Sequence, residues 1–118
     1  MQDLLPALQP LRARFVELSV SRSIELSRLR SRILLGQEPL VAMREIGEVV
    51  HKISGVAATL GFPAWGQLAA EIDMIINRLR KQEISLEVAC RSAEPLLDAL
   101  IRAMSANSNQ TVNRSAGS

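Results

Sequence analysis

The chain has no tyrosine, one tryptophan and two phenylalanines among its 118 residues. A core with so few aromatics is aliphatic. Alternating runs of β-branched or aromatic residues are also scarce, which argues against strands. The single cysteine, Cys90, excludes an internal disulfide and a cysteine zinc cluster. One histidine and one cysteine do not make a transition-metal site. There is no glycine-rich loop followed by Lys-Ser/Thr to hold nucleotide phosphates, so self-phosphorylation from ATP is not expected. No apolar run approaches the roughly 20 residues that span a bilayer. Nor does a basic start lead into a long apolar run, as in a signal peptide. The sequence therefore reads as cytoplasmic, with no membrane partner. Neither sign of charge dominates, with 14 basic against 12 acidic residues and a net charge of +2. The arginines from Arg12 to Arg32 do not interleave with aromatics. They read as a solvated helix face, and no nucleic-acid partner is expected.

What remains is material for helices. Hydrophobic residues make up 47% of the chain, enough for one compact domain, and the length does not allow two. That apolar content suits a monomer. Residues 1–9 form a short leader, and Pro10 suits a first helical position. Leu11, Phe15 and Leu18 start an apolar stripe that Leu26, Leu29 and Ile33 continue. Between them the stripe lapses, so two helical segments meet, or one helix bends, near Ser19–Ser23. Gly36 ends that stretch and Pro39 opens the next helix. Gly61 and Pro63 close it, and Pro63 begins another, with Leu68, Ile72, Ile75, Ile76 and Leu79 as its stripe. Ser85 suits the N-cap of the last helix, whose core face runs from Leu86 to Met104. Pro95 kinks that helix or divides it in two. Short connections between amphipathic helices imply antiparallel neighbours. The fold class is all-α, an antiparallel up-down four-helix bundle with a short N-terminal helix, over residues 1–106. Residues 107–118 are polar and small and read as a disordered tail.

The stretch from Val49 to Gly61 holds the only histidine. On a helix turning about 100° per residue, Ile46, Val49, Val50, Ile53, Ala57 and Leu60 gather into a buried stripe. His51 projects about 160° from its middle, towards solvent. Around the imidazole the residues are small: Gly47, Ser54, Gly55 and Ala58. Glycine in an exposed helix costs about 0.5–1 kcal/mol relative to alanine. Close approach of a partner to a bare surface would offset that. Glu48, three residues before His51, either orients the imidazole or is an ordinary solvated glutamate.

His51, Ile53, Gly55 and Gly61 resemble the signature of histidine-containing phosphotransfer (HPt) domains, on the second long helix of an antiparallel four-helix bundle. In helix count, order and spacing the resemblance covers residues 10–106. One position departs. The family usually has lysine three residues after the histidine, where this chain has Ser54; its nearest lysine is Lys52. Either residue is a candidate to replace it. The resemblance implies that His51 is a phosphoacceptor, carrying a phosphoryl group between the aspartates of response-regulator receiver domains or of a hybrid histidine kinase. No cofactor of its own is implied, since Mg²⁺ belongs to the receiver. The partner-facing surface would comprise Gly47, Lys52, Ser54, Gly55 and Ala58, with Arg44 and Glu48 as secondary contacts and Gly61 as a structural cap. A free imidazole has a pKa of about 6.5, so most of it is neutral and nucleophilic near pH 7. The Ser54 departure keeps a second reading open, a non-catalytic helical adaptor.

Overall fold

The computed structural model describes the backbone of residues 5–117 and the side chains of residues 7–106. Among these residues four helices follow one another and there is no strand: α1 Leu5–Leu34, α2 Pro39–Val56, α3 Pro63–Arg80 and α4 Leu86–Gly117. Each packs on its chain neighbours, and α1 closes the ring against α4. This is the up-down bundle that the short connections imply.

The turns follow the sequence punctuation. Pro39 and Pro63 occupy the first turns of α2 and α3, where a missing N–H costs nothing. Gly61 takes φ +97°, a conformation that glycine adopts freely. Beyond it the Phe62 N–H donates to the Ala57 carbonyl at 2.8 Å and closes the turn after α2. Ser85 caps α4, its Oγ accepting from the Val88 N–H at 3.2 Å.

Three features differ from the sequence reading. The N-terminal helix expected as a separate short piece is continuous with the first bundle helix, and Pro10 lies inside it. The lapse in the apolar stripe is real but does not break the helix. Ser19 and Ser23 are buried there, and their hydroxyls donate to the Val16 and Val20 carbonyls at 2.6 and 2.8 Å. A small, self-satisfied polar side chain is tolerated in a packed interior. Likewise α4 runs unbroken past Pro95, which is exposed; the freed carbonyl one turn back, at Arg91, is on an exposed residue too. The backbone of 107–117 continues α4, and the side chains there lie outside the described residues. Extending a formed helix costs far less than nucleating one, and no glycine or proline intervenes before Gly117.

The core is aliphatic along most of its length, with Leu26, Met43, Ile46, Ile53, Ile72, Ile76, Leu97 and Leu100 fully buried. Each such side chain contributes about 1.5–3 kcal/mol by burial. The three aromatics collect at one end. Phe15 of α1, Phe62 of the α2–α3 turn and Trp65 of α3 lie with centroids 4.2–5.9 Å apart. The Arg12 guanidinium covers the Phe62 ring at 4.7 Å, and its Nε donates to the Leu60 carbonyl at 3.1 Å. Together they fasten the first half of α1 to the end of α2 that follows His51.

Candidate functional site

Val50 and Ile53 are fully buried and fix the turn of α2 that carries His51. The imidazole itself is on the open side, its side chain 77% exposed. It has one partner. His51 Nδ1 lies 3.3 Å from Oδ2 of Asp73, on α3, whose side chain is only 18% exposed. An ionised carboxylate can only accept, so this contact is a hydrogen bond when Nδ1 carries the hydrogen, and in the neutral ring that tautomer leaves the lone pair on Nε2.

Asp73 went unnoticed in the sequence. A signal was present: it sits between Ile72 and Ile76 at the edge of the buried stripe of α3. A carboxylate at such an edge calls for a partner across the helix seam.

That seam is close at both ends. A Cβ at Gly66 would stand 3.4 Å from the Ala58 nitrogen and 3.6 Å from the Ala57 Cβ. One at Gly47 would stand 3.0 Å from both Ile76 Cγ2 and Arg80 Nη2. Position 58 thus lies beside 66, 51 beside 73, and 47 beside 76 and 80, as two antiparallel helices require. Gly66 was not singled out in the sequence either, because its role depends on the neighbouring helix.

Gly47 needs correction. It was expected on the partner-facing surface, but it is buried under α3. It stands on the flank of α2 that α3 covers, and the apolar stripe of α2 alone does not say which flank that is. The other small residues fare differently. Gly55 is exposed with nothing within 4 Å of a would-be Cβ, and Ala58 is exposed as well. Ser54 is half-buried, and its hydroxyl donates to the His51 carbonyl at 3.0 Å. Its proton is thus committed to its own helix. Glu48 and Arg44 are exposed one and two turns before His51, and neither makes an ion pair among the described residues. Gly61 takes its positive φ in the turn that follows α2.

Lys52 points the other way round α2, into a groove of about 670 Å³ between α1 and α2. Apolar side chains floor it: Leu11, Leu18, Val56 and Leu60, with Leu11 58% exposed. Leu11 and Leu18 had been placed on the core stripe; of that first trio only Phe15 is buried. Arg14, Arg22 and Lys52 supply cations at the groove, and Gly55 links it to the His51 surface. Cys90 is half-buried, and burial pushes its thiol pKa up, so it stays protonated and unreactive.

The model of the Hpt domain family fits residues 23–107. No curated protein and no solved structure matches. The fitted span includes all of α2 and α3, and with them His51, Asp73 and Gly55. It begins at Ser23, so the half of α1 that walls the groove lies before it. With the fit running from the middle of α1 through the packed part of α4, the chain belongs to the Hpt domain family.

Proposed function

We propose that this protein is a phosphohistidine carrier of a two-component phosphorelay, with His51 as the phosphoacceptor. Hpt domains work with receiver domains and histidine kinases in such relays. The observation that carries the reading is the exposed His51 ring held by Asp73 through Nδ1.

The chemistry follows from that pairing. The Nε2 lone pair attacks the phosphorus of a receiver's aspartyl phosphate. A P–N bond forms as the P–O bond breaks, and the bonding pair leaves on the aspartate carboxylate. The ring becomes cationic because Nδ1 keeps its proton, and the Asp73 carboxylate stabilises that charge. In the onward step a second receiver's carboxylate attacks phosphorus, and the P–N pair returns to Nε2. Neither step draws on ATP, so the protein is a carrier and not a kinase.

The partner would sit on the exposed face of α2. Gly55 and Ala58 give it room, and Ser54 lines its inner edge. The α1–α2 groove would take an apolar element of the receiver. Arg14, Arg22 and Lys52 would face acidic groups around the receiver's phosphorylated aspartate. Arg44 and Glu48 stand further down the same helix as secondary contacts. The setting is the cytoplasm, and no helix among the described residues is long and apolar enough to cross a membrane. The carrier works as a monomer.

The test is transfer from a phosphorylated receiver in the presence of Mg²⁺, with His51→Gln alongside. The carrier reading predicts an acid-labile, base-stable phosphoryl group on the wild type and none on the variant. The adaptor reading, favoured by the committed Ser54 hydroxyl, predicts no label and partner binding that survives His51→Ala.

A further inference from the structure

A phosphoryl group on Nε2 carries nearly two negative charges near pH 7. It calls for a cation, and the residues nearest His51 on its own helix do not provide one. Position 54 is serine, with its hydroxyl donated to the His51 carbonyl at 3.0 Å. Lys52 borders the α1–α2 groove, away from the side on which Asp73 holds the ring.

The seam with α3 does provide one. Arg80 reaches across α2 at Gly47, where a Cβ would stand 3.0 Å from its Nη2. Glycine at 47 is what admits the guanidinium there. Gly47 is one helical turn before His51, about 5.4 Å along the axis. Side chains on a helix lean towards its N-terminus, so the His51 ring leans towards that same turn. Arg80 makes no ion pair among the described residues. Its Nη1 donates only to the neutral Asn77 Oδ1, at 3.3 Å. On its other side lies an open cavity of about 540 Å³ that Arg44 also lines, so the guanidinium is not packed in on that side. Asp73 and Arg80 are seven residues apart on α3, two turns on one face.

We propose that Arg80 is the cation that binds the phosphoryl oxygens of phosphorylated His51 across the α2–α3 seam. Arginine suits this task, because its planar fork donates to two oxygens at once. This rests on His51 being the phosphoacceptor, so the experiment separates the two claims.

The full chain is phosphorylated with phosphoramidate, which needs no protein partner. Nε2 attacks phosphorus and ammonia leaves with the bonding pair. Wild type, Arg80→Gln, Arg80→Lys and Arg78→Gln are compared by ³¹P NMR across pH. Arg78 pairs with Glu83 at 3.6 Å and serves as a control of equal charge change. Loss of Arg80 is expected to raise the midpoint of the phosphoryl group's second ionisation by about half a pH unit, since an exposed cation has a screened effect. Arg80→Lys should recover part of the shift, and Arg78→Gln should leave the midpoint unmoved. Equal midpoints for Arg80→Gln and Arg78→Gln would overturn the assignment. The same variants are then offered phosphorylated receivers. Failure of the wild type to accept from any of them would count against the carrier role, while the NMR midpoints still decide Arg80.

Discussion

Four residues before His51 stands Gly47, and four residues after it stands Gly55. Gly47 is buried against Ile76 and Arg80, with contacts at 3.0 Å waiting for any Cβ. Gly55 is exposed with nothing within 4 Å. The first glycine brings α3 close enough for Asp73 to meet the imidazole. The second leaves room for an outside molecule. On the proposed reading, one residue type at mirror-image spacing serves packing inside the protein on one side and docking on the other. Since glycine in an ordinary helix is destabilising, each needs its own compensation. For Gly47 it is the close seam; for Gly55 the proposed function puts it in the complex with the receiver.

The sharpest way to test this division is a large side chain at the open position. Gly55→Leu should lower the rate of phosphoryl transfer by about 100-fold, the effect of a small misplacement of reacting groups. Its thermal midpoint should not fall; a matching loss of stability would put Gly55 in the same class as Gly47. Asp73→Asn addresses the seam side. The amide either donates or accepts, so it no longer enforces hydrogen on Nδ1. Losing a hydrogen bond to a charged group, about 1.5 kcal/mol, should slow transfer about tenfold in stopped-flow or quench assays. Gly47→Ala should destabilise the bundle by about 1 kcal/mol in urea unfolding, where overpacking outweighs the gain in helix propensity. Gly55→Ala should do the reverse, stabilising by about 0.5–1 kcal/mol. If the two alanines moved stability in the same direction, the contrast between the glycines would fail.

Much of the bundle was legible because punctuation and periodicity are local. Pro39, Gly61, Pro63 and Ser85 mark helix ends through their own backbone chemistry, and all four do so here. The exposure of His51 was legible for the same reason, being fixed by the apolar stripe of its own helix. What was not legible depends on a second helix. Asp73, Gly66 and the burial of Gly47 are all properties of the α2–α3 seam. The position of Leu11 and Leu18 in an open groove depends on how α1 is rotated against α2. The continuity of α1 was hidden by Ser19 and Ser23, whose hydroxyls bond to their own helix and so need no apolar neighbour.

The central claim is that Asp73 holds His51 with Nε2 free to take the phosphoryl group. Nitrogen-15 and phosphorus NMR of the protein, phosphorylated by a receiver, tests it most directly. The account predicts phosphorus bonded to Nε2 of His51, with a proton retained on Nδ1. Phosphorus on Nδ1, or on no atom of His51 at all, would contradict it.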